Sequence, residues 1–243
     1  MVTKTGGAAG SAALSGTQHV AAPPRVGRPR ANPRPTELAP AEEILDASAR
    51  LFSTVGYTTT TTREIADAVG LRQGSLFHYF ARKEDILAEL LDRTVEPATT
   101  FLARLARADQ PADLRLFTLA RRDVDNLCSG PYNLAKLQLL PEARMDRFEA
   151  FWAKRARLRS GYRDLVRRAI ADGQLAPADP ELATDVLFGL VESVITWYER
   201  DAGRRPAEIA VTVSTAGLRA LGSTNRRLAT FAARSERLLA SLA

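Results

Sequence analysis

From about residue 40 onward, apolar positions recur at three- and four-residue spacing, the period of helices that bury one face, and the chain reads as all-α. The first helix opens at Pro40, with Glu42 and Glu43 in the turn where acids complement the positive end of the dipole. Ile44, Leu45, Ser48, Leu51, Phe52 and Val55 share a face, and Gly56 ends it. A second helix starts at Thr61, which forms a capping box with Glu64; it carries Ile65, Ala66 and Val69 and stops at Gly70, suited to the left-handed residue that closes a helix. A third, short helix runs from about Gln73 to Phe80, with Leu76 and Phe80 inward and Gln73, Ser75, His78 and Tyr79 free to face elsewhere. A fourth begins at Lys83 and turns Ile86, Leu87, Leu90 and Leu91 inward until Pro97. Beyond it, Pro, Gly and Asp-Pro punctuation divides helical segments near 97–108, 111–128, 132–139, 142–172, 180–200 and 206–221, followed by a last amphipathic helix over about 225–242.

Two short helices joined by a tight turn containing Gly make either a helix-turn-helix, whose second helix enters the DNA major groove, or an αα corner that merely packs. Charge separates the two. Residues 41–92 hold nine acids against five bases, so the chain's net +6 does not arise there. Yet between Ala68 and Lys83 stand three bases (Arg72, Arg82 and Lys83) and no acid. A surface cleared of negative charge at the second helix is what a polyanion requires. Five consecutive threonines, Thr58 to Thr62, supply caps and hydroxyl donors for phosphate just before it.

The run ILDASARLFSTVGYTTTTTREIADAVGLRQGSLFHYFARKEDIL, Ile44 to Leu87, resembles the amino-terminal DNA-binding domain of the TetR family of bacterial transcriptional regulators. That resemblance implies a homodimer reading a pseudo-palindromic operator on double-stranded DNA, and a helical carboxyl-terminal domain that binds a small molecule and loosens the grip. Carried onto this chain, it implies base reading by Gln73 and Ser75, with Arg72, Gly74, Phe77, His78 and Tyr79 at base or backbone positions and Thr60, Thr61 and Lys83 on phosphates. The chain departs from the family at Phe77, where a Tyr hydroxyl usually binds phosphate, and at Arg72, where Ser or Thr often caps the helix. A helical ligand-binding module that has lost operator binding is the alternative those departures open.

Three segments follow: a disordered basic arm over 1–38, the helix-turn-helix domain over 39–92, and a helical ligand-binding and dimerisation domain over 93–243. The arm is rich in Gly, Ala, Ser, Thr and Pro and has little to bury. Its RVGRPRANPRP run, with Arg28 and Arg30, resembles the core of an AT-hook that lies in a narrow minor groove; a soluble leader fits its composition as well.

The segment 181–200 is apolar over more than one stripe, so it needs cover on two sides, from the chain's own core or from a twin helix of a partner subunit. The family-consistent choice is a four-helix dimer interface through Val186, Gly189, Leu190, Ser193, Val194 and Trp197, with 207–221 as the other member. Phe117, Tyr132, Phe148, Phe151, Trp152, Tyr162 and Trp197 are candidates to line a ligand cavity, or plain core. Trp197 to Ala210, WYERDAGRRPAEIA, resembles the end of the ligand domain in family members that respond to acyl-CoA thioesters, but Glu192 and Ser193 replace the usual Asn-Trp pair. The expected effector is an acyl-CoA or another apolar ligand.

No catalytic or metal site is expected, and no cofactor. His19 and His78 are far apart in sequence, and the lone Cys128 has no partner for a disulfide, a metal or a nucleophilic pair. No apolar run approaches the ~20 residues of a membrane span and no secretion signal opens the chain, so a cytoplasmic, soluble protein without a membrane partner is expected.

Overall fold

The computed structural model describes residues 38–176, 179–200 and 203–242. The arm, with Arg28 and Arg30, lies outside the described residues apart from its last position. Among the described residues nine α-helices run in order: α1 Pro40–Thr54, α2 Thr62–Ala68, α3 Gln73–Leu76, α4 Lys83–Leu105, α5 Ala112–Cys128, α6 Glu149–Ala171, α7 Pro180–Trp197, α8 Pro206–Ala220 and α9 Asn225–Leu242. Among the described residues there is no strand, and no helix is long and apolar enough to cross a membrane.

Helices α1 to α3 close over the first part of α4. Ile44, Ile65, Leu76, Ile86 and Leu87 are fully buried, in a core continuous with that of the larger part, and Phe52 meets the Tyr57 ring edge-on at 5.0 Å. Val55, expected on the inner face of α1, is exposed instead, because the helix has already ended: Val55 is its C-cap and Gly56 follows with φ +100°.

Helix α4 continues through Pro97 to Leu105, where the sequence pattern predicted one helix ending before Pro97 and another over 97–108. Proline removes one backbone donor and disfavours a helix interior by about 3 kcal/mol. The stripe Leu91, Val95, Ala98, Phe101 and Leu105 is nevertheless buried without interruption, and that packing against α5 and α6 outweighs the local penalty. The predicted domain division at 92/93 therefore falls inside one continuous helix.

Helix α5 is the hub of the larger part, packed against α4, α6, α7, α8 and α9. Gly217 lets α8 settle on α7: a Cβ there would stand 2.4 Å from Leu187 Cδ1. The segments predicted near 132–139 and 142–172 differ from expectation. Short 3-10 turns cover Leu134–Leu139, Pro141–Arg144 and Asp146–Phe148, and the regular helix α6 begins only at Glu149. Leu140, ahead of Pro141, and Met145 are both extended, with ψ of 138° and 151°, which breaks the helix twice.

Candidate nucleic-acid interface

The reading surface is built from the α2 cap outward. Thr61 Oγ1 accepts from Glu64 N at 3.2 Å, while Glu64 Oε2 accepts from Thr61 N at 2.7 Å and from the Thr61 hydroxyl at 2.9 Å. Those hydrogen bonds hold the Glu64 carboxyl below its ordinary pKa, the backbone bond contributing most. The turn follows through Gly70 at φ +68°, and Leu71 N returns to Ala66 O at 2.9 Å. These local bonds aim α3 away from the body.

On α3 and just beyond it, Arg72, Gln73, Gly74, Phe77, His78 and Tyr79 are exposed, Ser75 is half-buried and Leu76 is fully buried. The regular helix is only four residues long, yet Tyr79 N and Phe80 N still bond to Leu76 O, so the exposed row is held in helical register. Gln73 Nε2 donates to Thr62 Oγ1 at 2.8 Å, which fixes its amide plane. Gly74 has open space where a Cβ would stand. Phe77 and Tyr79 are 44% and 47% exposed, an unusual amount of apolar ring for a surface that has nothing to meet.

Two residues assigned to phosphate sit differently from expectation. Thr60 is 1% exposed and its hydroxyl donates to Gly56 O at 2.7 Å, so its side chain faces inward. Lys83 Nζ donates to Tyr57 O and Thr60 O, both at 2.8 Å, and lies 4.3 Å from the Tyr57 ring centroid. It ties the loop before α2 to the start of α4. Long-range pairs that no local pattern reveals anchor the same unit to the body: Thr58 Oγ1 donates to Glu142 Oε1 at 2.9 Å, and Arg147 stands 3.5 Å from Glu84 and 3.7 Å from Asp85.

Comparison with known proteins agrees with this geometry. Residues 44–90 match the family described as bacterial regulatory proteins, tetR family, and residues 136–221 match the Tetracyclin repressor-like, C-terminal domain. The crystal structure of Mycobacterium smegmatis AmtR is 44% identical, covers 85% of this chain and 98% of its own, and superposes with a TM-score of 0.74. The chain belongs to the TetR family. It is a DNA-binding transcriptional regulator. The repressor KstR2 of Mycobacterium tuberculosis is 47% identical over 49 residues, which span 20% of this chain and 24% of that repressor. The structure of AibR in complex with isovaleryl coenzyme A and operator DNA, 21% identical over 72% of this chain and 96% of its own, shares the fold with a TM-score of 0.63.

Where a TetR-family ligand domain was expected to hold a cavity, the candidate aromatics are packed. Phe117, Phe148, Phe151 and Tyr162 are fully buried core; Phe117 meets Phe231 at 5.4 Å and Phe151 meets Trp152 at 5.0 Å. Trp152, half-buried, donates from Nε1 to Ala143 O at 2.6 Å, and Tyr132 is half-buried against the core. Trp197 is 43% exposed, with Nε1 donating to Ser193 Oγ at 3.1 Å, so it faces away from the others. A cleft of about 880 Å³ between α4, α5 and α9 is lined by none of the seven.

Within the core, Tyr162 Oη donates to Asp123 Oδ2 at 3.0 Å, and Arg155 pairs with Glu192. Burial, reinforced by Glu192, pushes the Asp123 carboxyl up to about 7. Burial also pushes the Cys128 thiol up to about 12, which makes it a poor nucleophile. Among the described residues no group of three or more His, Cys, Asp or Glu is placed to hold a metal.

The outer face of α7 carries Leu182, Val186, Gly189, Leu190, Ser193 and Trp197 at helical spacing; Leu182 and Val186 are 62% and 46% exposed. Five of the six expected interface residues are on this face. Val194 is not: it is fully buried in the chain's own core, and Leu182, which is not among the six expected residues, takes a place on the row.

Proposed function

We propose that the chain is a repressor that binds an inverted-repeat operator as a homodimer and is released by a small-molecule effector. One observation supports operator reading above the others: the exposed row Arg72, Gln73, Phe77, His78 and Tyr79 stands on a capped and braced helix-turn-helix from which acids are absent between residues 68 and 83. In this reading Gln73 and Ser75 meet base edges, Arg72, Phe77, His78 and Tyr79 meet bases or backbone, the open Gly74 admits close approach of the strand, and Thr61 meets phosphate. Lys83 holds the loop that presents Thr61. Arg28 and Arg30 add minor-groove contact from the arm, residues 39–92 form the DNA-binding unit, and 93–243 serve effector binding and dimerisation.

The dimer reading draws support from the unpartnered apolar row of α7, since a large apolar patch exposed on one face of a helix marks an interface. An acyl-CoA or another apolar molecule is the proposed effector, in line with the isovaleryl coenzyme A named for AibR. The protein works in the cytosol and catalyses no reaction. Selection of bound fragments from a random DNA pool tests the whole reading. Two inverted half-sites with centres about 10 base pairs, or a multiple of one helical turn, apart are expected. Recovery of no enriched sequence would favour a module that has lost operator binding.

A further inference from the structure

We propose that the cleft between α4, α5 and α9 is a binding site for an amphipathic anion with a medium-length hydrocarbon tail, of the fatty carboxylate kind. Its volume, about 880 Å³, lies within the roughly 300–1,000 Å³ of sites that enclose small organic ligands. The floor is hydrocarbon: Pro97 and Phe101 from α4 face Leu239, Ala240 and Leu242 from α9. The polar rim is richest in guanidinium. Arg104 crosses to α9, donating to Leu242 O at 2.8 Å, and Arg121 binds Ala232 O, Ser235 Oγ and Glu236.

The charges at the rim favour an anion. Glu96 is held by Lys154 at 3.1 Å, Glu236 by Arg121, and Arg93 by Glu42 at 2.7 Å. Asp125 lines the cleft as the remaining carboxylate. Arg122 is exposed at the rim with no hydrogen-bond or ion-pair partner among the described residues, so a carboxylate head would gain a guanidinium that is already in place.

The site is also placed to matter. One wall is α9, which lies beyond the family match over residues 136–221. The opposite wall is α4 at Pro97, where the helix lacks one backbone hydrogen bond and bends most cheaply. A tail inserted between α9 and this point shifts the carboxyl-terminal half of α4, and the amino-terminal end of the same helix carries Lys83. This consequence for DNA rests on the effector-release reading above; binding in the cleft does not.

Calorimetric titration of the full chain with dodecanoate, below its micelle concentration, tests the site. One molecule per chain is expected to bind, about tenfold more weakly after Arg122→Ala, as the loss of one charge-assisted hydrogen bond implies, and not detectably after Ala240→Trp, which fills the cleft from an exposed position. Dodecanol, with the tail but no charge, should bind about tenfold more weakly than dodecanoate. Thermal melts followed by circular dichroism confirm that both variants fold. Dodecanoyl-CoA separates the two sources of such a tail: tighter binding that Ala240→Trp still abolishes keeps the cleft and assigns the thioester as head group. Absence of dodecanoate binding, equal binding of dodecanol, or insensitivity to both substitutions overturns the proposal. With a selected operator in hand, dodecanoate bound in the cleft should lower DNA affinity. Binding without that effect refutes release and leaves the site standing, whereas operator binding without any amphiphile binding refutes the site alone.

Discussion

Replacing Lys83 with methionine tests whether this side chain braces the reading head or touches DNA. Methionine keeps most of the stem's length and packing but has no donor. The wild-type ammonium makes two charge-assisted hydrogen bonds of 2.8 Å, to Tyr57 O and Thr60 O, and lies over the Tyr57 ring at 4.3 Å. Each such bond contributes about 1.5–3 kcal/mol, and because Lys83 is half-buried, water can replace part of what is lost. A net destabilisation of about 2 kcal/mol follows. For a chain of this size that lowers the melting midpoint by roughly 4–8 °C, measured by circular dichroism. Because the carbonyls belong to the loop that leads into the Thr61 cap, DNA affinity should fall for all sequences alike. The slope of log K against log salt should stay as in the wild type, since no phosphate contact is removed. An unchanged melt with the slope reduced by about 0.9 would refute the brace, showing that Lys83 leaves the carbonyls for a phosphate.

Gln73→Ala should relax preference at one or two base pairs of the selected operator, costing about 1–3 kcal/mol there, with melt and salt slope unchanged; uniform weakening across all sequences would count against base reading. Leu182→Glu with Val186→Glu places charges on side chains that are already exposed, so the chain should fold but run as a monomer in light scattering; a persisting dimer would move the interface elsewhere. The Asp123 carboxyl is pushed up to about 7 in the fold against about 3.9 unfolded, so between those values the folded state holds the extra proton. Stability should therefore decline as pH rises from about 4 through about 7, by at most roughly 4 kcal/mol from this group, and Asp123→Asn should flatten that decline in melts across the window. A wild-type slope retained by Asp123→Asn would assign it to other groups.

What the chain's sequence displays well is what local chemistry determines. The Thr61–Glu64 box, the Gly70 turn and the inward Leu76 are legible because each depends on residues within a few positions, and the structure has them all. The burial of Thr60 was not legible: the five threonines are equivalent as a string, and only the loop's path turns one hydroxyl onto Gly56 O. The role of the aromatics in the larger part was not legible, for a related reason. Helical spacing shows that Phe117, Phe148, Phe151 and Tyr162 face inward, but the same spacing describes a cavity lining and a filled core, and here Phe117 packs on Phe231, Phe151 on Trp152 and Tyr162 on Phe188.

Pro97 shows the same limit and what lies behind it. By propensity alone it divides α4, yet a buried stripe on both sides of it keeps the helix whole. A residue that is costly where it stands, retained inside a helix that runs from Lys83 at the reading head to Leu105 beside the α9 cleft, leaves one rigid element with one soft point. Stiffening that point supplies the test. Pro97→Ala restores the missing hydrogen bond, so it should raise the melting midpoint and, at dodecanoate concentrations that saturate the variant, weaken the effect of dodecanoate on DNA affinity. If the variant is stabilised but responds to dodecanoate as fully as the wild type, the bend at Pro97 plays no part in carrying the signal, and α4 must move as a whole.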